Sequence, residues 1–178
     1  MREAHKRLVS FLLLVVVTGF GLTASQTESI LAQAASRHNI LFILTDDMRA
    51  DVLRFMPKTR RLLAERGVKF TNAFVTRSFC CPSRATIFRG QYAHNHRVWV
   101  NTAPMGSFHR FRELGREQST IATWLDNAGY DTVLTGKYLN KHDNTTYIPP
   151  GWDRWNAYLG TYYNRDTYRI NQNGTIYT

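Results

Sequence analysis

The chain has 178 residues, 43% of them hydrophobic and 20% charged, enough for one domain with a hydrophobic core and unlike a disordered polyelectrolyte. Its formal net charge of +10 favours acidic partners, or simply a solvated basic surface. The basic residues are scattered, with no zinc-finger spacing and no basic helix, so no nucleic-acid partner is expected.

In chain order, Arg2, Lys6 and Arg7 precede a mostly apolar stretch from Leu8 to Leu22, and Ala32-Gln33-Ala34 offers a small-x-small cleavage site. Residues 1–35 are therefore expected to form a signal peptide and the protein to be exported. The apolar run is shorter than the roughly 20 residues that span a bilayer. An uncleaved N-terminal anchor is the other reading, and only then is a membrane a partner. Residues 36–178 are expected to form the front portion of one larger domain, incomplete at the C-terminus, because a parallel sheet with few strands leaves apolar faces uncovered.

Residues 38–45 (HNILFILT) form a short apolar run that reads as a buried strand of a parallel sheet, ending in Asp46-Asp47. Residues 57–66 read as a helix, with Pro57 at its start, Leu62 and Leu63 on its apolar face and Gly67 as its stop. Residues 68–75 alternate imperfectly and read as a strand. Cys80-Cys81-Pro82-Ser83-Arg84 is expected at a loop-to-helix transition, because proline presets φ and suits the first turn of a helix. Residues 102–118 have no clear period and read as a loop with short helical pieces. Ser119 or Thr120 is placed to cap a helix running to Asn127 and closed by Gly129. Residues 130–135 form a further strand that delivers Gly136 and Lys137. From Asn144 onward Tyr, Asn, Gly and Thr dominate, and Pro149-Pro150-Gly151 marks a turn. Strand, helix and strand in succession predict an α/β fold, with a mainly parallel sheet flanked by helices.

Two features carry chemistry. Asp46 and Asp47 follow an apolar strand, and ligands of open α/β sheets bind beyond the carboxyl ends of strands. Adjacent carboxylates repel unless a proton or cation intervenes, and a hard cation such as calcium or magnesium suits oxygen ligands. Capping of the following turn is the alternative role for one of them. The second feature reads C-x-P-S-R, with Cys80 as its first residue. A cysteine near a helix N-terminus, with an arginine four residues on, combines a reactive group with affinity for an oxyanion. Adjacent cysteines form only a strained bridge, and a pair of buried, inert thiols is the competing reading.

Several further residues remain open. His94 and His96 suit substrate contact, a transition-metal pair if they lie on a strand, or structural hydrogen bonding. Trp152, Trp155, Tyr158, Tyr162 and Tyr163 suit either sugar stacking or core packing. Asn144-Thr145-Thr146 and Asn173-Gly174-Thr175 match the glycosylation sequon, which matters only in a eukaryotic secretory pathway.

From about Arg37 onward the chain resembles the formylglycine-dependent sulfatases of the alkaline phosphatase-like superfamily. The motif at Cys80 to Arg84, the Asp46-Asp47 pair and Gly136-Lys137-Tyr138 carry the resemblance. Ala93-His94-Asn95-His96, Gly151-Trp152 through Trp155 and Tyr162-Tyr163-Asn164 make it similar to the N-acetylglucosamine-6-sulfatase branch, which acts on heparan and keratan sulfate. The resemblance implies that Cys80 is converted to formylglycine by a formylglycine-generating enzyme or equivalent maturase. It implies that Asp46, Asp47 and residue 80 bind calcium or magnesium, that Arg84 supports residue 80, and that Lys137 contacts the sulfate. The implied reaction is attack of the hydrated aldehyde on sulfur, followed by release of the alcohol and then of sulfate. The implied substrate is a sulfated sugar or glycosaminoglycan, with His94 and His96 as candidate contacts. Phosphate or phosphonate monoesters are the alternative substrates within the superfamily.

Three departures accompany the resemblance. Phe88-Arg89-Gly90 stands where the family often has Leu-Thr-Gly, which bears on recognition by the maturase. Leu139 stands where many members have a histidine, a role left to His94, His96 or His142, or to a residue outside these 178. The family's second metal pair and its downstream lysine and histidine do not occur before Thr178, so this 178-residue piece alone is expected to have little activity.

Overall fold

The structure, a computed structural model, describes residues 37–143, 145–160 and 168–178. Contacts divide the chain between Leu44 and Thr45. The expected signal or anchor segment, Tyr162-Tyr163-Asn164 and Asn144 lie outside the described residues. Among the described residues no helix is long and apolar enough to cross a membrane.

The expected strand at residues 38–45 does not form. The segment has no regular structure, and Ile40, Leu41, Phe42, Ile43 and Leu44 are all exposed. A strand is held by the N–H and C=O groups of its neighbours, and among the described residues none pairs with this run. Residues 68–75 likewise form no strand, and Val68, Phe70, Phe74 and Val75 are exposed. Between them lie a 3-10 helix at Ala50–Phe55, an α-helical turn at Pro57–Thr59 and a π-helical turn at Arg60–Ala64. Pro57 occupies the start of this helical stretch as expected, but Leu62 and Leu63 are exposed instead of packed.

The buried core is drawn from the described residues beyond Phe79. Helix α1 (Cys80–Arg89) is followed by the short α2 (Ala93–His96), then α3 (Ser107–Glu113) and a 3-10 turn at Arg116–Gln118. Helix α4 (Ile121–Asn127) begins at Thr120, whose hydroxyl accepts from the Thr123 N–H, while the Thr123 hydroxyl accepts from the Thr120 N–H. Such reciprocal capping satisfies two donors that the first helical turn leaves unbonded. The expected cap and the expected end of this helix are both present.

A four-stranded sheet completes the unit: β1 (Val133–Gly136), β2 (Arg154–Leu159), β3 (Arg169–Gln172) and β4 (Thr175–Tyr177), side by side in that order. β1 and β2 are parallel, with Leu134 opposite Trp155. β2–β3 and β3–β4 are antiparallel, so the described sheet is mixed and not mainly parallel. Hairpin geometry explains the difference. Asn173 and Gly174 both take positive φ, 47° and 89°, the backbone of a tight two-residue hairpin turn between β3 and β4. β2 alternates as a half-buried strand does, with Trp155, Ala157 and Leu159 inward.

The core joins the sheet to α1 and α3. Cys81 and Ala85 of α1 pack with Val98, Phe108, Phe111, Leu134, Tyr138, Leu139, Trp155 and Ala157. The Tyr138 ring meets Trp155 edge-on at 5.2 Å and lies 5.1 Å from Phe88, which fixes the chain just beyond β1 against α1.

Candidate active site

Helix α1 starts where the motif requires. Phe79 is extended, with φ −101° and ψ 145°, and the helix begins at Cys80. Pro82 stands third, where a backbone N–H would lack an intrahelical partner, so its missing donor costs nothing there. The first helical bond runs from the Ser83 N–H to the Phe79 carbonyl, at 3.0 Å. The Cys81 N–H, one of the remaining donors of that turn, donates to Asn101 Oδ1 at 2.8 Å.

Arg84 lies one turn into α1 and is only 7% exposed. Its Nη1 donates to the Lys137 carbonyl at 2.6 Å and to the Tyr138 carbonyl at 3.5 Å. Its Nη2 reaches Asp46 Oδ1 at 3.2 Å. The fork therefore closes on protein groups and ties the motif helix to the chain leaving β1. Lys137, the residue after β1, extends its ammonium to Asp46 Oδ2 at 2.8 Å. One carboxylate thus receives both cations, each on its own oxygen.

Burial pushes the Asp46 carboxyl up, but the Lys137 ammonium and the Arg84 guanidinium outweigh it and hold the group below the ordinary carboxylate range. Asp47 takes φ 52°, a left-handed conformation that aspartate tolerates better than most residues. The Cys80 thiol faces Asp47 Oδ1 at 3.9 Å. Donor atoms of Asp46, Asp47 and Cys80 all lie within 4.8 Å of one another. The two carboxylates fit a hard cation well, whereas a thiol is a soft partner for one. An oxygen in place of the sulfur at residue 80 makes the donor set consistent.

The adjacent thiols are sharply distinguished. Cys80 is partly exposed and Cys81 is fully buried. Burial raises the Cys81 thiol to about 11, which keeps it protonated and inert at neutral pH. The two cysteines are not bridged.

The histidines separate in the same way. His96 lies on α2, not on a strand, and is fully buried. Its Nδ1 accepts from the Val98 N–H at 3.1 Å, and its Nε2 lies 3.1 Å from the Thr86 hydroxyl. Burial first, then the nearby Arg116 and Arg89, lower it to about 4, so the ring is a neutral part of the scaffold. Of the roles open to it, structural hydrogen bonding matches these contacts. His94 is exposed and stacks on Tyr92 at 5.7 Å. His142 is buried among Phe108, Tyr138 and Trp155. Trp155 is fully buried in the core. Arg89, which departs from the family pattern, donates to the carbonyls of Arg116 and Ser119 and to Gln91 Oε1.

Two contributors to the site were not singled out from sequence. Asn101 caps α1 from a distance of 20 positions, and capping patterns show in sequence only when they are local. Glu117 is buried and accepts from the Tyr147 hydroxyl at 2.8 Å and the Tyr138 hydroxyl at 3.4 Å, bracing the segment that carries Lys137. A lone glutamate in a loop carries no signal of this kind.

Comparison with known proteins shows the family. The sulfatase family model matches residues 38–177. A putative extracellular sulfatase Sulf-1 homolog of Caenorhabditis elegans is 44% identical over 143 residues, covering 78% of this chain and 19% of that protein. The extracellular sulfatase SULF-1 homolog of Drosophila melanogaster is 44% identical over 142 residues, 78% of this chain and 12% of the relative. Human N-acetylglucosamine-6-sulfatase is 35% identical over 153 residues, 80% of this chain and 27% of the relative. The chain therefore spans less than a third of the length of these relatives. No solved structure matches. With the family match running across the Asp46-Asp47 pair, the Cys80 helix and Lys137, the chain belongs to the sulfatase family.

Proposed function

We propose that the protein is a sulfuric ester hydrolase acting on sulfated sugars, with a formylglycine made from Cys80 as its nucleophile. The convergence of Cys80, Asp46, Asp47, Arg84 and Lys137 on one small volume carries this reading. Membership of the family and the sulfatase names of its relatives support it. The N-acetylglucosamine-6-sulfatase among those relatives favours a sugar sulfate. Residues 36–178 then form the N-terminal part of a catalytic domain of the alkaline phosphatase-like kind, with a mainly parallel sheet to which the parallel β1–β2 pair would belong. The extracellular relatives favour an exported protein, matured by a formylglycine-generating enzyme or its equivalent.

Asp46, Asp47 and residue 80 would hold the calcium or magnesium ion, which supplies charge stabilisation for oxygens developing negative charge. A formylglycine at residue 80 would supply, as its hydrated aldehyde, an oxygen nucleophile with a second hydroxyl available for the release of sulfate. The chain's own residues perform the rest. Arg84 holds Asp46 and the carbonyl of Lys137 in fixed relation, so the carboxylate and the ammonium are placed before substrate arrives. Such preorganisation is where electrostatic catalysis gains most. Lys137 neutralises charge on the sulfuryl oxygens. Cys81, buried behind residue 80, anchors the helix and takes no part in bond making.

Hydrolysis of matched sulfate and phosphate monoesters of one sugar, with wild type and Cys80→Ala, tests the reading. Sulfate release by wild type and none by the variant is expected. Cleavage of the phosphate alone would place the protein among the phosphate hydrolases of the superfamily. The residue-80 peptide should be about 18 Da lighter than its cysteine form, the mass change on converting thiol to aldehyde.

A further inference from the structure

We propose that Asn101 is a positioning residue for the nucleophile, acting as a cap supplied to α1 from outside its own sequence. The proposal rests on the assignment of residue 80 as nucleophile.

The observation is the 2.8 Å bond from the Cys81 N–H to Asn101 Oδ1. Phe79, the residue preceding the helix, offers no side-chain cap. The orientation of residue 80 depends on the first turn, whose N–H groups lack intrahelical partners. Cys81 is locked in the core on its side-chain face and by Asn101 on its backbone face, so residue 80 is held from one position along the chain.

Asn101 is itself set by a built loop. The Trp99 N–H donates to the Met105 carbonyl at 2.8 Å, and the Ser107 N–H to the Val100 carbonyl at 3.3 Å. Arg77 Nε donates to the Trp99 carbonyl at 2.8 Å, linking the loop to the residues that lead into α1. Gly106 lies so close to Val100 that a Cβ would stand 1.7 Å from the Val100 oxygen. These contacts fix the backbone immediately before Asn101 and leave its amide to face the start of α1. A small shift in a nucleophile's placement is expensive in rate, reaching about a hundredfold for roughly 1 Å.

The test compares Asn101→Ala with Asn101→Asp in the full-length protein, using a sulfate ester that wild type hydrolyses. Asp keeps the accepting oxygen, and its charge suits a helix N-terminus. With Asn101→Ala, kcat is expected to fall roughly ten- to hundredfold, while KM and the formylglycine content of residue 80 stay close to wild type. Amide hydrogen exchange in the peptide containing residues 80 and 81 is expected to quicken. Asn101→Asp should restore both kcat and slow exchange. Unchanged exchange in the Ala variant, or an Asp variant no better than Ala, would overturn the proposal. A rise in KM with kcat unchanged would instead make Asn101 a substrate contact and overturn it too. Should the Ala variant not fold, Asn101→Gln, which displaces the amide by one methylene, takes its place. If wild type hydrolyses no sulfate ester, the functional reading fails, while the exchange measurement still decides the capping.

Discussion

Lys137 and Asp46, 91 positions apart, meet at 2.8 Å, and the Asp46 side chain is 29% exposed where they do. The same carboxylate holds Arg84 on its other oxygen. Lys137 is thus held beside the Asp46-Asp47-Cys80 group by the carboxylate that faces it.

Lys137→Met should leave the fold intact, because Met keeps most of the apolar stem of a side chain that is 11% exposed, and Asp46 stays partnered by Arg84. Removing a fixed positive charge aimed at developing negative charge costs about 100- to 1,000-fold in turnover. Steady-state hydrolysis of a sulfate ester checks the first quantity and thermal unfolding the second. A midpoint close to wild type with turnover lost is the expected pair of results.

Arg84 behaves differently, because it is a structural tie as well as a charge. Arg84→Lys keeps an ammonium for Asp46 but has no planar fork with which to reach the Lys137 and Tyr138 carbonyls as well. Stability should fall by about 1 to 3 kcal/mol, the cost of leaving buried carbonyls without their donor. Turnover should fall with it, since Lys137 loses its backbone anchor. Chemical denaturation separates the loss of stability from the loss of activity measured at saturating substrate.

The chemistry was more legible in the sequence than the sheet. Cys80, Pro82 and Arg84 are spaced along one helix, so their order in sequence carries their geometry. Thr120 and Thr123 form a local cap that four consecutive positions reveal. The run at residues 38–45 has the composition of a buried strand, but composition cannot supply a pairing partner. β2 alternates, with Trp155, Ala157 and Leu159 inward, but it lies in a stretch whose Tyr, Asn, Gly and Thr content reads as turns. Asn173-Gly174-Thr175 matches the sequon, and its first two residues turn the hairpin between β3 and β4. Asn101 and Glu117 act through contacts 20 or more positions distant, and no local pattern announces those.

Acid should weaken the fold through His96 and His142. Both rings are neutral in the folded protein, burial having lowered each to about 4, while an unfolded histidine takes up its proton near 6.5. Between these values the unfolded chain binds more protons, so stability rises with pH from about 4 to 6.5 and levels off above. Each ring contributes on the order of 1 to 3 kcal/mol across that window. Denaturant unfolding at pH 7 and pH 4.5 measures the sum. His96→Asn keeps an acceptor for the Val98 N–H, loses the titration, and should flatten the profile by about half.

The two thiols should label unequally. In protein purified before maturation, a maleimide at pH 7.5 is expected to modify Cys80, which is partly exposed, and to leave Cys81 untouched until the protein is unfolded. The cause is twofold: Cys81 has no exposed surface, and burial holds its thiol at about 11, so almost none is thiolate at that pH. Peptide mapping after labelling in native buffer and in denaturant gives the result directly. Cys81→Ala should then cost roughly 1 kcal/mol or somewhat more, the removal of a small buried side chain from the core beside Ala85 and Tyr138. Formylglycine formation at residue 80 should survive that change if the variable position of the motif contributes packing alone. Native labelling of Cys81 at a rate like that of Cys80 would mean that the first turn of α1 opens readily, and the buried contact behind the nucleophile would no longer account for its placement.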